Sequence, residues 1–346
     1  MNLSGWRARR VLVTGHTGFK GAWLSLWLER LGADVDGLAL APPTTPSLHA
    51  LVGGADEEPV DVRDAAAVAD RLRTVEPEVV FHLAARSLVR PAFADPVGTY
   101  EVNVLGTAHV LEAARQTRGV RAVVVVTSDK VYAPRQDGTP HSEDSPLGGV
   151  EPYGSSKAAA ELVVAAYRGS YSGAQIGLAT ARAGNVIGGG DWAVDRVVPD
   201  VVRARERPEP VALRHPEAVR PWQYVLDPLA GYLALAERLL DNAAEAPAAL
   251  NFGPDESCSV AELVERLSER FGGSPGWRRD AAPQSVPEAA ELRLDASRAR
   301  AELAWRPLLG LDESVAWTVD WHQALERGED PRVLTLEQIA AYEERL

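Results

Sequence analysis

The chain has 346 residues, of which 46% are hydrophobic and 25% are charged, a composition typical of a globular protein with a sizeable core. Its formal net charge of −13 argues against a nucleic-acid partner, because proteins that bind phosphate backbones need a basic face. The single cysteine, Cys258, excludes an internal disulfide, and neither a membrane-spanning run nor a signal-peptide core is evident. We therefore expect a cytoplasmic protein that has no membrane partner.

Lysine is rare in this sequence. Of the 36 basic residues only three are lysines, namely Lys20, Lys130 and Lys157, and the others are arginines. A lysine amine can lose its proton or fit as a compact charge, and a guanidinium does neither readily. The three lysines are therefore candidates for functional roles.

The first predicted unit is a short apolar strand, a glycine-rich turn and a helix, in RRVLVTGHTGFKGAWLSLWLERLGADV. Gly15 permits the tight turn, Gly18 lets the backbone approach a pyrophosphate, and Gly21 allows the helix to pack closely on the strand. The N-terminus of a helix also attracts phosphate. This order of elements predicts a dinucleotide-binding site.

The second predicted strand, Val35–Leu40, carries no acidic residue at its end, where the ribose of NAD is usually bound. The choice between NAD and NADP therefore stays open at this point, and Lys20 could reach a 2′-phosphate. The next segment, PVDVRD, places Asp61 and Val62 where an adenine ring could be held. Asp64 is expected to cap the helix that follows.

A third predicted strand, EVVFHLAA, ends in Ala84 and Ala85, whose small side chains leave room for a flat cofactor. We expect His82 to be packed rather than catalytic, and Asn103 in the next helix to hydrogen-bond nearby backbone. Strands and helices alternate to about residue 170. This alternation predicts an α/β fold with a doubly wound parallel sheet.

Four consecutive valines open the most informative stretch, VVVVTSDKVY, and predict a strand buried on both faces. Its end carries the polar residues Thr127, Ser128, Asp129 and Lys130. They are expected at the carboxyl edge of the sheet, where open α/β folds bind ligands. Tyr153 and Lys157 in YGSSK are four residues apart, so they share one face of the predicted helix. Together these residues outline a reaction site.

Beyond a strand at Ile176–Arg182, three consecutive glycines, Gly188 to Gly190, predict a loop. Polar and aromatic residues near this loop and in RHPEAVRPWQY are candidates to bind a second ligand. They are Asn185, Trp192, Arg196, Arg214 and Arg220. Arginine is well suited to clamp a diphosphate, because its planar fork can make two hydrogen bonds to it.

The segments TGHTGFKG, FHLAA, NVLGT, TSDK, YGSSK and RAGNVIGGGDW resemble the extended short-chain dehydrogenase/reductase superfamily in order and spacing, from about Arg10 to His322. Within it, the chain most resembles the CDP-glucose 4,6-dehydratases, on GHTGFKG, APPTTPSL, SDK, RAGNVIGGGDW and RPWQYVLDPLAGYL. The dTDP-glucose relatives typically carry Thr-Asp-Glu in place of SDK. The resemblance implies an NAD-dependent hydro-lyase that forms a 4-keto-6-deoxy nucleotide sugar in deoxysugar biosynthesis.

The resemblance also implies roles for five residues. Tyr153, assisted by Lys157, would be the base for the 4-hydroxyl, and Ser128 would hydrogen-bond the 4-oxygen. Asp129 would protonate the departing C6 hydroxyl. Lys130 would take the proton from C5, a role that requires a neutral amine. A water network, or Asp129 coupled to Lys130, is the alternative base.

Cofactor and substrate contacts follow from the same resemblance. Those implied for the cofactor are Gly15, Thr17, Gly18, Phe19, Lys20, Gly21, Asp61, Val62, Leu83, Ala84, Ala85, Thr127, Tyr153 and Lys157. The nucleotide sugar would be held by Asn185, Trp192, Arg196, Arg214 and Arg220, and no metal site is predicted. Members of the superfamily usually dimerise through a helix bundle, which Leu105–Ala114 and Ala158–Ala166 are apolar enough to supply.

We expect a Rossmann domain of residues 1–185 and 225–252, and a smaller, discontinuous α/β substrate domain of residues 186–224 and 253–346. Three alternatives for the function stay open: a 4,6-dehydratase of dTDP or UDP sugars, a 4-epimerase or decarboxylase, and a dinucleotide-sensing module without activity. The Asp129–Lys130 pair argues against an epimerase. The complete set of Ser128, Tyr153 and Lys157 argues against an inactive module.

Overall fold

The computed structural model describes residues 3–55, 58–135, 137–171, 176–207, 209–274, 276–280 and 291–346. Its strands are β1 Arg10–Thr14, β2 Asp34–Leu38, β3 Val79–His82, β4 Ala122–Val126, β5 Gly177–Ala183, β6 Val186–Ile187, β7 Val211–Leu213, β8 Val219–Arg220, β9 Gln223–Tyr224, β10 Ala249–Phe252, β11 Cys258–Ser259 and β12 Trp277–Arg279. Its helices are α1 Phe19–Arg30, α2 Leu48–Leu51, α3 Ala65–Val75, α4 Val89–Ala94, α5 Pro96–Tyr100, α6 Gly106–Gln116, α7 Pro152–Ser170, α8 Val197–Glu206, α9 Leu226–Asp241, α10 Val260–Arg270, α11 Ser297–Leu303, α12 Leu311–Glu326 and α13 Pro331–Glu343. Within these ranges, no helix is long and apolar enough to span a membrane.

A six-stranded sheet in the order β2-β1-β3-β4-β5-β10 lies at the centre, and all of its strand pairs are parallel. Every residue of β4, the strand made of alanine and four valines, is buried, as expected for a strand covered on both faces. The direction of winding reverses at β1, which pairs with β2 on one side and β3 on the other. Such a reversal opens a crevice at the carboxyl edge, where dinucleotides bind. The predicted doubly wound fold is confirmed.

Hydrophobic cores cover both faces of this sheet. On one face, Trp23 and Trp27 of α1 and Leu229 of α9 pack in a cluster with the strands. On the other, Leu72 of α3 and Val110 of α6 belong to a second cluster, which includes alternate residues of the same strands. Because successive strand residues point to opposite faces, the unbroken apolar runs supply both cores at once.

A third core lies beside the sheet and is formed by the later part of the chain. It contains Val201 of α8, Leu213 of β7, Leu263 of α10 and Val319 of α12. The short strands here form two-stranded sheets, β6 with β9, β7 with β12 and β8 with β11. This part of the molecule packs next to the carboxyl edge because β6 begins three residues after β5 ends.

Three local predictions are confirmed. Asp64 caps α3 by accepting hydrogen bonds from the N–H groups of Ala66 and Ala67, each at 3.0 Å. His82 is buried, with its Nδ1 2.7 Å from the Thr14 hydroxyl. Asn103 lies in a π-helical turn, Glu101–Leu105, and holds the backbone of Arg86 through two hydrogen bonds, at 2.9 and 3.0 Å. The same amide donates to Ser156 of α7 at 2.8 Å, so it ties the end of β3 to the helix that carries Tyr153.

Candidate active site

The polar residues that follow β4 form a compact turn at the carboxyl edge of the sheet. Ser128 begins the 3₁₀ turn Asp129–Val131 and accepts a hydrogen bond from the N–H of Lys130 at 3.2 Å. The hydroxyl of Ser128 in turn donates to Oδ1 of Asp129 at 2.9 Å. These two bonds fix the directions of the Ser128 and Asp129 side chains before any ligand binds.

Asp129 is 5% exposed, and its burial raises its pKa, although the charges of Lys130 and Arg220 and the hydrogen bond from Ser128 oppose the rise. Its Oδ2 atom is buried and has no hydrogen-bond partner among the residues that the structure describes. A buried polar atom without a partner is costly. The geometry is therefore that of a carboxyl group prepared to hold a proton and to meet a ligand.

Helix α7 positions Tyr153 and Lys157. Glu151 caps the helix, and its carboxylate accepts hydrogen bonds from the N–H groups of Tyr153 and Gly154, both at 2.8 Å. Pro152 occupies the first helical position, where its missing N–H costs nothing. Glu151 was not among the predicted site residues, although Glu-Pro directly before YGSSK is a sequence signal for a helix start.

Burial raises the pKa of Tyr153 to about 12, while Ser128 and the charge of Arg196 oppose the rise. Burial lowers the pKa of Lys157 to about 8, and the carboxylate of Glu161 opposes that fall. The ammonium group of Lys157 donates to the carbonyl of Val126 at 2.9 Å. The lysine is therefore held at the end of β4, on the same edge as Ser128.

The glycine-rich turn fits the close approach of a dinucleotide. Gly15 has a φ of 73°, and a Cβ there would lie 2.7 Å from the backbone nitrogen of Ala84. A Cβ on Gly21 would lie 2.2 Å from the carbonyl oxygen of Gly15. Gly18 precedes α1 and supplies no side-chain cap, so the N–H groups of the first turn are left to an anion. Phe19 begins α1 and faces the loop residue Gly188.

Gly21→Ala is expected to destabilise the protein by about 1–3 kcal/mol, because the added methyl collides with backbone that cannot move aside. It should weaken cofactor binding as well, since relief of the clash distorts the turn. Gly169→Ala in α7 is the matched control, because nothing lies within 4 Å of the position of its Cβ. Thermal unfolding should show a lower midpoint for the first variant and an unchanged or higher one for the second.

Lys20 lies among the candidate catalytic groups. Its ammonium group is 3.3 Å from the hydroxyl of Tyr232 on α9. Burial and the charges of Arg196 and Lys157 lower the pKa of Lys20 to about 7, and Asp129 opposes the fall. A 2′-phosphate would lie at the end of β2 instead, so the possible contact between Lys20 and such a phosphate is not supported. Tyr232 lay outside the sequence predictions, because no local pattern marks it.

The remaining cofactor candidates lie along the strand ends. The N–H of Leu83 donates to the carbonyl of Thr14 at 3.1 Å, and the hydroxyl of Thr17 donates to the carbonyl of Leu40 at 2.9 Å. Ala85 follows Ala84 beyond β3. Thr127 is buried, and its hydroxyl donates to Glu161, so its side chain faces the protein interior.

A cleft of about 430 Å³ opens beside the proposed adenine position. It is lined by Asp61, Arg63, Asp64, Glu101, Leu105 and His109. Asp61 pairs with Arg63 at 2.7 Å, which lowers the pKa of the carboxyl group. Val62 is buried, and its carbonyl oxygen lies 2.9 Å from Nδ1 of His109.

The candidate substrate residues separate into two groups. The charge of Arg220 lowers the pKa of Asp129, and that of Arg196 lowers the pKa of Tyr153, so both arginines lie within electrostatic range of the candidate catalytic groups. Arg214 pairs instead with Asp195 at 3.6 Å. Trp192 packs edge-on against Trp321 at 5.8 Å between ring centres.

Asn185 lies between β5 and β6, and its carbonyl oxygen accepts a hydrogen bond from the N–H of Gln223 at 3.0 Å. This bond joins the end of β5 to the segment that contains Arg220. The structure therefore brings Arg196 and Arg220 to the catalytic groups, and it gives Arg214 and Trp192 partners within the later part of the chain.

Comparison with known proteins identifies the family of this chain. A model of the NAD dependent epimerase/dehydratase family matches residues 11–251. The CDP-glucose 4,6-dehydratase of Salmonella typhimurium is 44% identical over 348 residues, which cover 97% of this chain and 97% of that protein. The UDP-glucose 4-epimerase of Mycolicibacterium smegmatis is 29% identical and covers 90% of this chain and 98% of its own length.

Among solved structures, a double mutant of DesIV, a dTDP-glucose 4,6-dehydratase from Streptomyces venezuelae with NAD bound, is similar with a TM-score of 0.79. It is 26% identical, and the match covers 93% of this chain and 99% of that one. The predicted cofactor, NAD, is confirmed by the family and by this structure. The chain belongs to the NAD-dependent epimerase/dehydratase family.

Proposed function

We propose that this chain is a CDP-glucose 4,6-dehydratase, which converts CDP-glucose to CDP-4-keto-6-deoxyglucose and so contributes to deoxysugar biosynthesis. The observation that carries the proposal is the buried Oδ2 of Asp129, which has no hydrogen-bond partner in the part of the chain that the structure describes and belongs to the Ser128–Lys130 turn at the carboxyl edge. An epimerase has no need of a proton donor at this position. The similarity to the Salmonella enzyme supports CDP-glucose as the substrate.

The reaction begins with oxidation at C4, because the C5 proton becomes acidic only next to a ketone. NAD, which the turn at Gly15, Gly18 and Gly21 would hold, would supply a two-electron acceptor for C4 and an electron pair for C6. Tyr153 accepts the proton of the 4-hydroxyl, and Ser128 hydrogen-bonds the same oxygen. Since burial raises the pKa of Tyr153 to about 12, even against Ser128 and the charge of Arg196, the phenol needs further positive charge to act as a base. Lys157 supplies a charge from the same helix face.

Water is then lost across C5 and C6. Lys130 takes the C5 proton, and Asp129 gives its proton to the C6 hydroxyl, which leaves as water. The raised pKa of Asp129 suits the donor role, because a carboxyl group must still hold its proton near neutral pH to donate it. The two residues are adjacent in the 3₁₀ turn, and we propose that they act on neighbouring carbons of one sugar.

We also propose that residues 186–224 and 253–346 form the substrate domain and that residues 1–185 and 225–252 bind the cofactor. The buried residues of the third hydrophobic core all belong to residues 186–224 and 253–346, which supports this division. Arg196 and Arg220 are the proposed contacts to the diphosphate, because their charges reach the catalytic groups from that domain.

The decisive experiment is an NMR assay of the purified protein with CDP-glucose and NAD in deuterated water. We expect a 4-keto-6-deoxy product that carries deuterium at C5, because the base exchanges its proton with solvent. If CDP-glucose gives no product but dTDP-glucose or UDP-glucose gives this one, the proposed mechanism is supported and the proposed nucleotide is contradicted. A galacto-configured product without deuterium would identify a 4-epimerase and contradict the roles of Asp129 and Lys130.

We further propose that the protein works in the cytoplasm as a homodimer. Large apolar side chains are exposed on the surface formed by α5, the π-helical turn and α7, where Val97 is 67%, Leu105 53% and Leu162 63% exposed. Apolar side chains grouped on adjacent helices are typical of a subunit interface. Sedimentation velocity would decide between monomer and dimer.

A further inference from the structure

A buried ion pair lies one helical turn beyond Lys157. Glu161 of α7 and Arg182 of β5 are 2.7 Å apart, and their side chains are only 3% and 6% exposed. Glu161 also accepts hydrogen bonds from the hydroxyls of Thr127 and Thr180. A pair this deeply buried is weak evidence for stability, because desolvation offsets the attraction of the charges. Its presence therefore calls for a second explanation.

The pair is connected to the catalytic residues along two routes. Glu161 follows Lys157 by four residues and shares its face of α7, and its charge raises the pKa of Lys157 against the effect of burial. The second route runs through Thr127, whose hydroxyl donates to Glu161. Thr127 is followed by Ser128 and preceded by Val126, and the carbonyl of Val126 accepts a hydrogen bond from the Lys157 ammonium group. The carboxylate of Glu161 is thus held in place relative to both Lys157 on α7 and the residues at the end of β4.

Arg182 is held on the far side of Glu161 by other groups. Its guanidinium donates to the hydroxyl of Tyr132 at 2.9 Å and to the carbonyl of Glu143 at 3.1 Å. The hydroxyl of Tyr132 donates to Asn251 at 2.6 Å. These bonds fix Arg182 where it balances Glu161.

We propose that Glu161, balanced by Arg182, is the positioning residue that keeps Lys157 in its charged form. This inference rests on the proposed function, in which the charge of Lys157 assists Tyr153. The ion pair lets a carboxylate remain ionised in a buried place, and the ionised carboxylate opposes the tendency of burial to discharge Lys157.

The other charged or titratable groups that interact with Lys157 favour the neutral amine or are themselves neutral. Lys20 of α1 has its pKa lowered to about 7, and in its charged form it acts against a second positive charge. His82 of β3 has its pKa lowered to about 3 by burial and by Lys157, so it is neutral at physiological pH. Tyr153, on the same helix, is a neutral phenol before the reaction. In the described part of the chain, Glu161 is the acid that favours the ammonium form.

The scarcity of lysine permits a direct test. With isotopically labelled lysine, the chain gives resonances from only Lys20, Lys130 and Lys157, which single Lys→Arg variants assign. We expect Glu161→Gln to move the titration midpoint of Lys157 from about 8 downward by about one pH unit. This titration needs no substrate, so it remains informative if the proposed reaction is wrong.

Two further variants separate an electrostatic role from a structural one. Glu161→Gln alone leaves the charge of Arg182 buried and unpaired, so it should lower the melting temperature. The double variant Glu161→Gln/Arg182→Met should recover much of that stability and still show the lowered Lys157 midpoint. Thr180→Val removes a hydrogen bond to Glu161 but not its charge, and should leave the midpoint unchanged.

The formation of reduced cofactor in a rapid-mixing experiment gives the second readout. Because the active ammonium form is lost as pH rises through the pKa of Lys157, the alkaline limb of the rate should move to lower pH in both Glu161 variants. At pH 8 a midpoint lowered by about one unit corresponds to about fivefold less ammonium form. A Lys157 titration identical to that of the unmodified protein in both variants would overturn the proposal. If the unmodified protein gives no product while the titration shifts, only the proposed function fails.

Discussion

Asp129→Asn is expected to separate oxidation from the loss of water. The amide keeps the shape of the side chain but cannot donate a proton to the C6 hydroxyl, so elimination should slow by about 10²–10⁴-fold. Oxidation at C4 needs Tyr153 and Lys157 and should continue, so reduced cofactor should accumulate. Its near-ultraviolet absorbance in single-turnover experiments is the measurement.

The unmodified protein should show the matching pH dependence. Burial raises the pKa of Asp129, and the proton that it donates is present below that pKa and lost as pH rises through it. The elimination step should therefore slow on the alkaline side, and this limb should be absent from the residual rate of Asp129→Asn.

Lys130→Arg serves as the comparison, because it keeps the positive charge while removing an amine that can become neutral. In deuterated water, substrate recovered from Asp129→Asn should carry deuterium at C5, since the C5 base is still present. Substrate recovered from Lys130→Arg should carry none, although reduced cofactor still forms. Near-normal turnover of Lys130→Arg would contradict its role as the C5 base, and failure of Asp129→Asn to form reduced cofactor would contradict the assignment of Asp129 to the second step.

Lys157→Ala is expected to prevent the first step. The substitution removes a positive charge from the helix face that carries Tyr153. Burial raises the pKa of Tyr153 to about 12, so without added positive charge the phenol should keep its proton at neutral pH. The transient reduced cofactor should fall by about 10²–10⁴-fold in rapid-mixing experiments. Quenching of the tryptophan fluorescence by added NAD would verify that the variant still binds the cofactor. Reduced cofactor formed at the normal rate would show that Lys157 is dispensable.

Asp129→Asn and Lys157→Ala are expected to give opposite signals in the same assay. One accumulates reduced cofactor and the other forms none, so a general loss of folding cannot produce both results. Lys157 also makes a hydrogen bond to Val126, and its removal affects the packing of α7 against β4. A melting temperature close to that of the unmodified protein would show that the lost rate is chemical in origin.

Much of the site could be predicted because its residues belong to local patterns. The run of valines predicts a buried strand, and Ser128, Asp129 and Lys130 follow it directly, so they lie at the edge of the sheet. The spacing of Tyr153 and Lys157 places them on one face of α7 whatever the rest of the fold does. The glycine-rich turn could also be predicted from a local pattern, because its close backbone contacts leave no room for a Cβ.

Other features depend on distant parts of the chain. Lys20 meets Tyr232, 212 residues away, because α9 packs on the same face of the sheet as α1. Arg220, the last residue of β8, acts on Asp129 because β8 ends near the carboxyl edge, where Gly184 adjoins both Asp129 and Pro221. Neither contact leaves a periodic signal in the sequence, because it results from the packing of whole elements.

The fold class, and the placement of the candidate catalytic groups at the sheet edge, could be predicted because strand periodicity, helix periodicity and glycine turns are local properties of the chain. The arginines that act on those groups, and the acid that interacts with Lys157, are set by tertiary packing instead. Glu161 and Arg182 are 21 residues apart and belong to different elements, and they meet because α7 packs against β5. Such pairings depend on how elements pack in three dimensions, which no local pattern records.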